Sequence, residues 1–218
     1  MSLYSVPPAL GALLCFLLGI FVWSRKRGAE THITFFLSCL ATTVWLTSYS
    51  IAYSTTSQDL AILCARIACT AVAFVSIFIY HFVVVFIRRD RERKYVQYCY
   101  GITFTFLIGF LFSDVFLRGT RRYFWGFYSE AGLLHPAYLL ITYAMWIRCF
   151  YLLYQALKSQ TNPIAANQIK YTLAAFVIGM PATIDYIPKY GIEIYPFGFS
   201  FVLLFTFITA YAILRHHL

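Results

Sequence analysis

The chain has 218 residues, of which 61% are hydrophobic, 20% aromatic and only 11% charged, and its mean hydropathy is +0.72. A soluble domain of this size cannot bury so much apolar surface, so the composition places the chain in a membrane. The formal net charge of +9 does not point to nucleic acid, because the basic residues stand in short clusters between apolar runs, the pattern of topology signals and of contacts with membrane lipids.

The first apolar run, Val6 to Trp23, is opened by Pro7 and Pro8, which suit a helix N-terminus. No Lys or Arg precedes it and Arg25, Lys26 and Arg27 follow it, the reverse of a cleaved signal peptide, so it is read as a retained helix. The second run is His32 to Tyr53. Within it Ser38, Thr42, Trp45, Tyr49 and Ala52 recur every three or four residues and share one face. A face of hydroxyls and aromatic rings belongs against protein, as ordinary helix packing or as the lining of a ligand site.

The third run, Leu60 to Ile87, contains Arg66 and ends in the dense cluster Arg88, Arg89, Asp90, Arg91, Glu92, Arg93 and Lys94. Arg66, Cys69, Thr70, Ala73, Ser76 and Tyr80 follow one helical face, which turns Arg66 into the bundle. The fourth run is Tyr95 to Phe112. A polar and aromatic connection, Ser113 to Leu134, carries Arg118, Arg121, Arg122, Tyr123, Phe124, Trp125, Phe127 and Tyr128. Its rings are expected to anchor in the headgroup layer, with a lid over a pocket as the alternative. The fifth run is His135 to Leu157, where Arg148 is expected to snorkel toward headgroups. The sixth is Ala166 to Ile187 and the seventh Tyr195 to Leu214, followed by Arg215 and Leu218. In the seventh, Pro196 fixes the start and Gly198 allows close approach to a neighbour. Cys15, Cys39, Cys64, Cys69, Cys99 and Cys149 form no CxxC pair and read as small buried hydrophobes.

Assigning alternate loops to alternate sides puts Arg25, Lys26, Arg27, Arg88, Arg89, Arg91, Arg93, Lys94, Lys158, Lys170 and Arg215 on one face, against Arg118, Arg121, Arg122 and Lys189 on the other. The positive-inside rule then predicts an all-α integral membrane bundle of seven transmembrane helices, with the N-terminus outside and the C-terminus cytoplasmic.

Two charges inside the spans need partners. Arg66 lies about six residues, roughly 9 Å, from the outer end of its helix, and Asp185 is within a turn of the same end of the sixth. A charge in hydrocarbon costs roughly 2.5 to 3.5 kcal/mol, so the two are expected to face a shared cavity, as a structural pair or as a pocket for a polar head. The candidate ligand-binding residues are Trp45, Tyr49, Arg66, Thr70, His135 and Asp185. No catalytic residue, metal ligand or cofactor is assigned. His32 and His81 show no spacing that demands facing imidazoles around a haem, and the seventh run has no Lys for a retinal Schiff base. The spans carry no HExxH, paired Asp or Ser/Lys arrangement.

From Asn162 onward the residues carry a resemblance. Asn162-Pro163, Gln168, Pro181, Asp185, Tyr195-Pro196-Phe197-Gly198 and Tyr211-Ala212-Ile213-Leu214-Arg215 with Leu218 resemble, in order and spacing, the seven-transmembrane N-terminal sensor region of bacterial histidine kinases. Trp45 and Arg66 stand where that family often has Trp and Arg. The resemblance implies a receptor in the bacterial inner membrane that detects a small apolar or amphipathic molecule, or the state of the membrane, and signals through its last helix. It also implies a downstream cytoplasmic signalling domain and a homodimer in the full-length form. The same module precedes other outputs, including cyclic-dinucleotide enzymes. The chain has no phosphoacceptor His box and no Gly-rich ATP lid, so it is expected to be an input region without kinase activity of its own. The alternative is a small transporter or ligand-binding membrane protein. A transporter calls for inverted repeats or paired broken helices, and only Gly179 and Pro181 offer a break.

Overall fold

The computed structural model describes residues 2–214; Arg215 and Leu218, read above as the close of the seventh helix, lie outside the described residues. The helices are α1 (Val6–Arg25), α2 (Glu30–Ser54), α3 (Gln58–Phe86), α4 (Arg93–Phe112), α5 (His135–Ser159), α6 (Pro163–Gly179) and α7 (Phe199–Leu214). Local chemistry sets several starts. Pro residues occupy the first turns of α1, α5 and α6, where a missing N–H is harmless. The Asn162 side-chain oxygen accepts the N–H groups of Ile164 at 2.9 Å and Ala165 at 3.4 Å, capping α6.

Helices α1, α2, α3, α5, α6 and α7 pack in that order, and α7 returns to α1 to close the ring. Helix α3 is the hub, touching α2, α4, α5 and the hairpin described below, while α4 leans on α3 from outside. The outward faces carry exposed Leu13, Leu17, Phe104, Ile108 and Ile147, the side chains a lipid phase accommodates. Five helices, α1 to α5, are long and apolar enough to cross a membrane. Helix α6 has 17 residues and α7 has 16.

Two segments differ from expectation. The sixth run does not continue as one α-helix to Ile187, because Pro181 has no N–H to donate to the preceding turn. A 3₁₀ helix takes over from Met180 to Tyr190. With about three residues per turn, it aligns Met180, Thr183, Tyr186 and Lys189 in one row. The connection Ser113 to Leu134 is not a loop of surface anchors either. It forms an antiparallel hairpin of β1 (Leu117–Tyr123) and β2 (Gly126–Ala131), turned by Phe124 and Trp125. Trp125 is 0% exposed, and Tyr128 is buried against Tyr49 and Tyr53 of α2. Gly126 has φ +129°, and a Cβ there would lie 2.5 Å from the Tyr53 Cα, so the turn reaches the end of α2 only with glycine. The hairpin thus plugs one end of the bundle; the opposite end carries the Arg88–Lys94 cluster.

Candidate functional site

Beneath the hairpin lies a cavity of about 150 Å³. Its walls come from Trp45 and Tyr49 of α2, Val72, Val75 and Ile79 of α3, Thr142 and Trp146 of α5, and Val202 and Phe205 of α7. The 3₁₀ row Met180, Thr183, Tyr186 and Lys189 forms another side, and Tyr128 closes the top. The surface is mostly aliphatic and aromatic, and Tyr49, Tyr128 and Lys189 form a polar patch beneath the hairpin.

Lys189 is the centre of that polar patch. It is 6% exposed, and its Nζ donates to Ser129 Oγ at 2.8 Å, Cys69 Sγ at 3.0 Å and the Tyr49 hydroxyl at 3.3 Å. Tyr49 and Ser129 are themselves hydrogen-bonded at 2.7 Å. The rings of Tyr49, Tyr128 and Tyr186 lie 5.8 to 6.0 Å from the ammonium, within cation–π range. These neighbours are two hydroxyls, a thiol and ring faces, and Lys189 takes part in none of the ion pairs among the described residues.

Asp185 has a different duty. Its Oδ1 accepts the Gly198 N–H at 2.6 Å, while the Gly198 carbonyl accepts from Phe201 and Val202 to open α7. The carboxylate therefore caps the N-terminus of α7 from across the chain and meets the positive end of its dipole. A Cβ on residue 198 would sit 2.5 Å from the Ala182 carbonyl oxygen and 2.6 Å from the Asp185 carboxylate, so the close approach expected at Gly198 is present and specific to glycine.

Two hydroxyls of the hairpin lock the 3₁₀ backbone in place. Tyr128 donates to the Asp185 carbonyl at 2.7 Å and Tyr123 to the Pro188 carbonyl at 2.6 Å. Burial pushes both phenols above their usual range; for Tyr123 the nearby Arg121 guanidinium opposes the rise in part. Both stay protonated and available as donors at neutral pH.

Of the residues singled out in the sequence, Trp45, Tyr49 and Asp185 line this cavity; Arg66, Thr70 and His135 do not. Arg66 and Asp185 do not pair. Arg66 reaches Asp114 Oδ1 at 2.7 Å and the Leu111 carbonyl, tying α3 to the end of α4. Asp114, in the connection after α4, satisfies the arginine locally, which leaves Asp185 for α7. Thr70 faces a separate shallow groove with Ile67, Phe74 and Leu111. His135 is buried, bonds the Tyr190 hydroxyl through Nδ1 at 2.8 Å and buttresses the 3₁₀ stretch from behind. Read from the sequence, Lys189 falls in a loop on the outer face, whereas in the structure it is the buried cation of the site. The available signal was its aromatic setting, Tyr186-Ile187-Pro188-Lys189-Tyr190, combined with a three-residue rather than a 3.6-residue period.

The opposite end is built differently. Glu92 accepts from Arg148 at 2.6 and 3.2 Å and from the Tyr80 hydroxyl at 3.0 Å. Arg148 is therefore a paired residue rather than one that only snorkels.

No curated protein and no solved structure matches the chain. The family described as the N-terminal 7TM region of histidine kinase matches residues 7–218, nearly the whole length. With seven helices, apolar spans and a match of that extent, the chain belongs to this family, the membrane sensor region of histidine kinases.

Proposed function

We propose that the chain is the sensory input domain of a bacterial histidine kinase, embedded in the inner membrane among its lipids with the N-terminus outside and the C-terminus cytoplasmic. It detects a small amphipathic molecule in the cavity beneath the hairpin and passes the signal through α7 to a downstream cytoplasmic domain, within a homodimer. The observation that carries this reading is the position of Asp185, which lines the cavity and also caps α7 at Gly198. Anything that moves the 3₁₀ stretch moves the start of α7 with it. A ligand that favours one placement of that stretch biases the position of the helix by its difference in affinity for the two states. The orientation is supported by the basic residues, which gather at the end opposite the hairpin.

The test is to insert one to four alanines after Leu218 in the full-length protein and measure kinase output. Each residue rotates the downstream helix by roughly 100°, so output should vary periodically with insertion length. Output that ignores every insertion would reduce α7 to an anchor and remove the proposed route.

A further inference from the structure

We infer that the cavity takes an amphiphilic monoanion, a carboxylate on an apolar chain of the medium-chain fatty acid type, with its head on Lys189. This rests on the cavity being the sensory site and names the class of molecule it senses.

The argument begins with charge. A buried ammonium is costly unless an opposite charge accompanies it, and Lys189 has only neutral acceptors and ring faces. The nearby carboxylate, Asp185, is committed to the Gly198 N–H and the α7 dipole. No negative charge therefore lies in contact with Lys189, and the one carboxylate of the lining is turned to α7 instead. One lysine, with no arginine in the lining, matches a single charge rather than the two of a phosphate monoester. Among the three bonds of Lys189, the one to Tyr49 is the longest, and Tyr49 lines the cavity. An arriving carboxylate displaces that bond and gains the Tyr49 hydroxyl as a second donor.

Shape supplies the apolar half. A cavity of about this size holds roughly one benzene-sized molecule, so a longer chain must emerge from it. Tyr143 of α5 and Met180 of the 3₁₀ stretch are the exposed members of the lining, which places the mouth between those two elements, on the flank of the bundle. Below Lys189 the walls are Val75, Ile79, Trp146 and Phe205, with no charge to meet. Tyr138 and Thr142 of α5 add two buried hydroxyls to the lining, which interact with each other and, for Tyr138, with Tyr186.

The experiment uses the full-length protein in phosphatidylcholine nanodiscs and three probes of equal length: 10-bromodecanoate, 10-bromodecanol and 10-bromodecyl trimethylammonium. Saturable quenching of tryptophan fluorescence, from Trp45 and Trp146 in the lining, reports binding. The carboxylate should bind at least about tenfold more tightly than the alcohol, the ordinary worth of a hydrogen bond to a charged group, and the ammonium should not saturate. Lys189→Met should bring the carboxylate down to the level of the alcohol. An alcohol that binds as well as the acid, a preferred ammonium probe, or an acid preference that survives Lys189→Met each overturns the anion assignment while leaving the cavity as the sensing site. No saturable binding by any probe overturns both. If Lys189→Met does not fold, the order of the three probes on the unmodified protein decides.

Discussion

The two ends of the bundle each bury a charge and treat it in opposite ways. At the basic end Glu92, with its side chain 9% exposed, is met by the Arg148 guanidinium and the Tyr80 hydroxyl. At the hairpin end Lys189 is just as buried and is met by two hydroxyls, a thiol and three aromatic faces. A charge matched by a charge is finished, and such an arrangement holds helices together. A charge touched only by dipoles, with the Asp185 carboxylate of the same lining engaged by α7, is stable enough to fold and still attracts an anion. The first end is a clamp and the second is the proposed receptor site, with the cavity beside it.

The sharpest way to break this contrast is to remove what closes the hairpin end. Trp125 is fully buried, stacks on Tyr123 with ring centroids 4.5 Å apart and packs edge-on against Tyr195. Trp125→Ala should cost about 3 to 5 kcal/mol, the range for a buried aromatic truncated to alanine. The loss should also be local. Cys64, in the same cluster as Trp125, should become reactive to a maleimide well before Cys149, which packs at the basic end. Equal labelling of the two thiols would show that the ends unfold together and that the distinction has no energetic content.

A smaller effect is expected at the clamp. Glu92→Gln keeps the shape and an acceptor for Tyr80 but leaves Arg148 without its counter-charge. Because the Arg148 side chain is 43% exposed, water relieves much of the penalty for a broken buried pair. A loss of about 1 to 2 kcal/mol is expected, read as a lower Tm, with labelling of Cys149 accelerated and that of Cys64 unchanged. A double-mutant cycle with Arg148→Met should return a coupling energy of similar size.

How far the sequence discloses this contrast depends on the period of each element. The α2 face of Ser38, Thr42, Trp45, Tyr49 and Ala52 is legible because an α-helix repeats at 3.6 residues, and all five are buried. The hairpin is not. Strands announce themselves by alternation, yet Phe127, Tyr128 and Ser129 are buried in succession, since the strand is covered on both sides. Lys189 is hidden for a related reason. Read at 3.6 residues per turn it falls off the end of the sixth helix, whereas at three per turn it lines up with Tyr186 and Thr183. The Arg66–Asp185 pairing failed because depth along a helix fixes only one coordinate. Asp114 and Gly198 were closer partners, contributed by connections whose paths no periodicity shows.

The smallest expected change in stability is that of Asp185→Asn, at the residue proposed to join cavity to output. Asp185→Asn retains a side-chain oxygen able to accept the Gly198 N–H, so the cap survives and only the charge at the α7 N-terminus is lost. Such a charge is worth about 0.3 to 1 kcal/mol, rising toward about 2 kcal/mol where it is partly buried. Asp185→Ala removes the acceptor as well and should cost about 1 kcal/mol more, the usual value of an N-terminal cap. If Asp185 were only structural, kinase output in the full-length protein would follow stability, and both variants would fall in proportion. If it couples the site to the helix, the two separate. Asn keeps the mechanical link and should keep the response to ligand with a shifted baseline, whereas Ala should fold, still bind at the cavity and lose the response. Binding measured by tryptophan quenching beside output measured by autophosphorylation distinguishes the cases. An Ala variant that binds and responds normally would show that α7 takes its signal from elsewhere.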